Sequence, residues 1–211
     1  MSVAIETSDG ERNDEREGGR LFGLSDAVFA IAMTLLALDL RVPDLGTAPS
    51  DHALVRALLD QGPHYVSFLL SFYVIADYWR QHKAEMRTAD AGHPALVRRT
   101  LPLLLAVTAL PFAAELLGTY GGQDGIAIAV YAAVNIFAVS SLIALRREAA
   151  RHRRSGVTEE KSDSPDLWLN LAALVLAAPV GYLVHGQGPL TVVALLFLGN
   201  AVGSVLKKSR S

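Results

Sequence analysis

A run of about twenty mostly apolar residues is long enough to cross the roughly 30 Å hydrocarbon core of a bilayer, and this chain of 211 residues contains six such runs. They fall at 21–40, 62–82, 96–118, 124–145, 166–185 and 189–206. Hydrocarbon offers no water to satisfy backbone N–H and C=O groups, so each run is predicted to be a helix that bonds within itself. The expected fold is therefore all-α, a polytopic membrane protein with six transmembrane helices. Composition agrees, since 51% of residues are hydrophobic against 19% charged. A soluble domain of this length is normally more polar.

Between the runs the punctuation is polar or turn-rich: GTYGGQDG, SGVTEEKSDSPD and HGQGP. VPDLGTAPSDHALVRALLDQG, after the first run, is turn-rich and then weakly amphipathic, which predicts a loop with a short surface helix. DYWRQHKAEMR and RREAARHRR read as helical extensions of the second and fourth spans beyond the membrane. The first nineteen residues, MSVAIETSDGERNDEREGG, are polar and mixed in charge, unlike a cleaved signal peptide, and read as a disordered tail. The expected organisation is a cytoplasmic tail over 1–19, a six-helix transmembrane domain over 20–206 and a C-terminal tail over 207–211.

Lys and Arg set the orientation. The tail before the first span, 80–99, 146–161 and the C-terminus carry 3, 5, 6 and 3 basic residues, while the alternate loops hold only Arg41 and Arg56. By the positive-inside rule the rich side is the cytoplasm, so both termini are expected there, in a multi-pass protein of the cell membrane. RREAARHRR is read mainly as a topology-setting extension, with anionic lipid headgroups as its alternative partner. No aromatic interleaving or reading motif accompanies the charge, so no nucleic-acid partner is expected.

Absence of cysteine removes disulfides, thiol catalysis and thiolate metal sites. His52, His64 and His185 show no metal-ligand spacing, and neither a metal site nor a cofactor is expected. Asn135, Asn170 and Glu115 read as interhelical or interfacial polar groups, and GNAVG at 199–203 as a close-packing spacing. Pro102, Pro111 and Pro179 mark expected kinks.

Within the first span, RLFGLSDAVFAIAMTLLALDLR, the helical wheel separates two features. At about 100° per residue, Arg20, Leu24, Ala27, Ile31, Thr34, Leu35 and Leu38 fall within about 60° of Ile31. Ser25 and Asp26 point elsewhere, Asp26 by about 140°. Ionisable groups this deep in a membrane segment are costly and usually face protein or a water path. Ser25 and Asp26 are read as facing the subunit interior and joining helices by hydrogen bonds, with Arg20, His82 and the Trp79 indole as partners.

This stretch resembles the signature of the transmembrane protein 175 family of potassium channels in its short prokaryotic form. The match is carried by Arg20, Leu24, Ser25, Asp26 and the threonine-containing run AVFAIAMTLL, with Trp79 and His82 after the second span. Leu24 stands where the family has phenylalanine, and Phe22 is the nearest ring. The resemblance implies a homotetramer with the first helix of each subunit lining a pore for potassium ions, surrounded by membrane lipid. By position it implies Ile31 as the constriction, Thr34 as the residue that discriminates among cations, and Leu35 and Leu38 as further apolar layers. No carbonyl filter of the TVGYG kind is present, so a preference for potassium would come from hydroxyls. Asp39, near the outer end of the helix, is read as concentrating cations at the pore mouth.

The rival readings fit less well. A secondary transporter typically shows internal repeats with paired helix breaks near the midplane, and only one copy of the signature is present. A hydrolase built on Ser25, Asp26 and His82 is disfavoured because helix neighbours diverge by about 100°. The chain is therefore read as a channel and not an enzyme.

Overall fold

The computed structural model describes residues 2–41, 44–46, 50–89, 93–121 and 125–152. Among them are five α-helices and no strand: α1 Ser2–Leu35, α2 Asp51–Asp60, α3 Gly62–Thr88, α4 Pro94–Tyr120 and α5 Gly125–Arg151. After Leu35 the first helix tightens into a 3-10 turn over Leu36–Asp39. The predicted spans at 166–185 and 189–206, with Asn170, Pro179, His185 and the GNAVG spacing, lie outside the described residues.

Among the described residues, three segments are long and apolar enough to cross a membrane: Gly19–Asp39, Pro94–Tyr120 and Gly125–Arg151. α3 equals α4 and α5 in length, at 27 residues, but is more polar. Its hydroxyls turn inward. Ser67 Oγ donates to the Ala114 carbonyl at 2.6 Å, Ser71 Oγ to Tyr131 Oη at 3.2 Å, and Tyr78 Oη to Asn135 Oδ1 at 3.0 Å. Such bonds between helices are how polar side chains are accommodated in an apolar bundle. By accepting from Tyr78, Asn135 makes the interhelical bond expected of it, and its amide donates within α5 to the Tyr131 carbonyl at 2.8 Å.

α4 and α5 form the best-packed pair. Leu96, Thr100, Leu103, Val107, Leu110, Ala114 and Leu117 are buried on α4. Ile128, Tyr131, Asn135, Ala138, Leu142, Leu145 and Ala149 are buried on α5. Both series step by alternating threes and fours, the seam of a coiled coil. Either helix is apolar nearly all round, so this seam could not be told from the lipid-facing side in the sequence. His93 caps α4 by accepting the Ala95 N–H at Nδ1, and Pro94 occupies the first helical position, which needs no donor. α4 continues as one helix through Pro102 and Pro111.

The loop after the first span contains the expected short helix, α2, with Ser50 Oγ accepting the Ala53 N–H at 3.2 Å. Both polar extensions remain helical, to Thr88 and to Arg151. Within the second extension Arg146 turns inward, its Nε 2.6 Å from Glu85 Oε1 on α3 and its Nη2 3.3 Å from Gln81 Oε1. The N-terminal segment differs from expectation, since α1 begins at Ser2 and not at the first apolar run. The segment is rich in Glu and Arg and free of proline, residues whose intrinsic preference permits a helix even without an apolar face.

Candidate functional site

α1 divides lengthwise into two faces. Leu21, Ser25, Phe29, Ala32 and Leu36 are buried, spaced by threes and fours toward α3 and α4. Arg20, Leu24, Ala27, Ile31, Thr34, Leu35 and Leu38 are exposed, with Ile31 at 57% and Leu38 at 67%. All seven stripe residues of the wheel thus share the face that this subunit leaves uncovered. Leu24 belongs to that face, whereas Phe22 is partly buried against the core. The ring of Phe22 therefore points away from the position Leu24 occupies.

Thr34 lies in the middle of the exposed face and donates its hydroxyl proton to the Ile31 carbonyl at 2.8 Å. Such a bond back to the preceding turn is common for threonine in helices. It has a chemical consequence: with the proton turned toward the helix, only oxygen lone pairs are left for whatever approaches from outside. The face offers acceptors at one level and methyl groups one turn to either side.

Ser25 and Asp26 separate. Ser25 is fully buried, and its Oγ, like His82 Nε2, has no hydrogen-bond partner among the described residues. Asp26 is exposed, contrary to the expectation that it faces the subunit interior. On the wheel it sits beside partly buried Met33 at the margin between the two faces, where α3 reaches it. Trp79 Nε1 donates to Asp26 Oδ1 at 2.8 Å, Lys83 Nζ lies 4.6 Å from the Trp79 ring centroid, and Phe29 packs on His82 with centroids 5.8 Å apart. Arg20 is exposed on the stripe side. Of the signature helix, Asp26 and Phe29 therefore meet the Trp79–His82 pair at one helix crossing, while Arg20 and Leu24 stay on the exposed face.

At the other end of the span Asp39 closes the 3-10 turn. Its Oδ2 lies 3.4 Å from Nδ1 of His64 on α3, and its side chain is only 15% exposed. Sequence reasoning placed this carboxylate at a pore mouth and did not foresee the histidine. Nearby, Gln61 Nε2 donates to the Arg41 carbonyl at 2.6 Å, so the end of the span is tied to the start of α3 twice. His64 in turn rests on Gly118 of α4, where an added Cβ would approach Nδ1 to 2.9 Å. Nothing in the local sequence signals this arrangement, because its members lie 25 and 54 positions apart.

Residues 20–111, which hold α3 and the whole exposed stripe, match the model of the family described as endosomal/lysosomal potassium channel TMEM175. A potassium channel of Chamaesiphon minutus is 33% identical over 178 residues, 78% of this chain and 87% of the relative. A potassium channel of Streptomyces collinus is 37% identical over 123 residues, 57% of this chain and 58% of the relative. In fold the chain is similar to the crystal structure of a lysosomal potassium-selective channel TMEM175 homolog from Chamaesiphon minutus. The TM-score is 0.67, with 24% identity over 90% of this chain and 97% of that one. With that similarity spanning the signature helix and most of the chain, the protein belongs to the TMEM175 family.

Proposed function

We propose that this chain is the subunit of a potassium-selective channel in a cell membrane. The channel is a homotetramer whose pore is lined by the exposed face of α1. Each subunit crosses the membrane six times with both termini in the cytoplasm, a topology supported by the six apolar runs and by the distribution of Lys and Arg. The observation that carries the reading is the uncovered stripe Leu24–Ala27–Ile31–Thr34–Leu35–Leu38 on a helix whose opposite face is packed. Its chemistry is that of a gated cation path. A ring of Ile31 side chains forms a dry constriction, since a hydrated cation gains nothing from methyl groups in exchange for its water. Leu35 and Leu38 add further apolar layers. The Thr34 ring supplies oxygen acceptors, a weaker selector than a multi-site carbonyl filter. Asp39 contributes negative charge at the outer end, moderated by His64 when that ring is protonated. Asp26 does not touch the ion; its bond to Trp79 holds the lining helix against α3.

Planar-bilayer recording under bi-ionic potassium and sodium tests this reading. Ile31→Asn replaces a dewetting ring with one that holds water, so resting current rises. Thr34→Val removes the acceptors at nearly constant shape, so the potassium preference falls with little added leak. An Ile31→Asn channel as closed as the parent, together with an unchanged reversal potential in Thr34→Val, places the conduction path on another helix.

A further inference from the structure

The arginine-rich end of the α4–α5 pair is closed by two histidines that conduction does not use. Pro94 opens α4 without an N–H of its own, and the next donor, the Ala95 N–H, is accepted by Nδ1 of His93 at 3.2 Å. The Leu96 and Val97 N–H groups follow onto the His93 carbonyl at 2.9 and 3.3 Å. At the other terminus the His152 N–H ends α5 on the Glu148 carbonyl at 3.2 Å, and its ring Nε2 lies 3.3 Å from Glu148 Oε1. The two helices are antiparallel, so these ends coincide. There the rings of His93 and His152, both half-buried, stack with centroids 3.7 Å apart and planes inclined by 26°.

The two rings accept a proton on unequal terms. His152 stands at a helix C-terminus, where the dipole favours a cation, and beside a carboxylate. Once protonated it still stacks on a neutral ring, as a cation over an aromatic face. His93 reserves the lone pair of Nδ1 for the cap, so its neutral ring carries the proton on Nε2. A second proton, at Nδ1, would turn a donor toward the Ala95 N–H and abolish the cap. It would also place a cation at a helix N-terminus, stacked on another cation. Neighbouring charges give no relief. Glu148, shared with Arg151 at 3.3 Å, is the one carboxylate among the described residues that contacts either ring. Further along, α4 brings Arg98 and Arg99, both exposed, α5 brings Arg147, and α3 brings exposed Arg87 and a Glu85 already held by Arg146. We propose that the stacked His93–His152 pair is a pH-sensitive clasp, which holds the ends of α4 and α5 together while at most one ring is protonated and releases them when both are. The released form binds one proton more than the closed form, so acid favours release and neutral pH favours closure. On the topology proposed above, the clasp reads the pH of the cytoplasm. The inference needs only the α4–α5 pair and does not depend on which helix lines the pore.

Hydrogen–deuterium exchange of the full-length protein in neutral detergent tests it, at about pH 7.5 and about pH 5.5, toward the two ends of the range in which histidine changes charge. Loss of a helix cap raises local opening roughly fivefold, so at the lower pH the Ala95, Leu96 and Val97 amides of the parent exchange about fivefold faster once the intrinsic effect of pH is divided out. His152→Phe keeps a stacking ring and removes one of the two protons, so the same amides stay protected at both values. His93→Asn keeps a capping oxygen and removes the other titrating ring, and its exchange is likewise independent of pH. Equal corrected exchange of these amides in the parent at the two values overturns the clasp, as does a parent-like response to pH in His152→Phe. If His152→Phe does not assemble, His93→Asn decides, since a parent-like response there assigns the effect to groups outside the stack and refutes the proposal.

Discussion

Asp26 shows how little a residue's position on a wheel says about its partner. At about 140° from the centre of the exposed stripe it was expected inside; it lies instead at the margin of the exposed face, with the indole N–H of Trp79 donating to it at 2.8 Å. A hydrogen bond to a charged acceptor contributes about 1.5–3 kcal/mol. Trp79→Phe, which keeps an aromatic ring and removes the donor, is therefore expected to lower the thermal unfolding midpoint in detergent. The same change is expected to have little further effect in an Asp26→Ala background, because the bond is already lost. Asp26→Ala itself should reduce assembled protein more than it alters the potassium to sodium ratio. A sharply changed reversal potential in normally assembled Asp26→Ala channels assigns this carboxylate to the ion path.

At the scale of elements, the end of α1 is held by contacts that run through two other helices. The Asp39–His64 contact and the Gln61 bond to the Arg41 carbonyl tie the 3-10 turn to α3, and His64 sits on Gly118 of α4. There is no room under that ring: an alanine Cβ at 118 would lie 2.9 Å from Nδ1 and 3.3 Å from the His64 Cα. Because backbone as well as side chain is crowded, Gly118→Ala forces α3 and α4 apart locally, at a cost of about 1–3 kcal/mol. The expected readout is a lower unfolding midpoint together with altered open probability, since the turn that ends the proposed lining helix is displaced. Unchanged stability and gating in Gly118→Ala would mean that His64 moves aside freely and that the outer tie is not rigid.

For the whole molecule, the proposed pore on the exposed face of α1 calls for an assembly. One lining helix per subunit would not enclose a path, and with helix diameters near 10 Å about four copies are expected around an axis. Native mass measurement of protein that conducts potassium is expected to give the tetramer. A monomer that conducts excludes a pore built from α1. Among the described residues the antiparallel α4–α5 seam is the most extensive packing, with α1 and α3 packed against it and the Arg146–Glu85 pair joining α5 to α3 at the arginine-rich end.

Much of this was legible in the sequence because it depends on local order alone. The apolar runs follow from bilayer thickness, the short helix after the first span from its weakly amphipathic pattern, and the Ile31–Thr34–Leu38 stripe from helical periodicity. A face of a helix is a property of consecutive residues, so all seven stripe positions could be named without coordinates. The partners could not. Which hydroxyl of α3 meets Tyr131, that Arg146 turns inward while Arg147 stays outside, and that His64 lies between Asp39 and Gly118 depend on how helices cross. On α4 and α5, apolar nearly all round, periodicity is silent even about which side is buried. Those choices come from the shape of close-packed side chains and from the need to pair polar groups in an apolar interior, quantities that exist only once residues far apart in the chain are brought into contact.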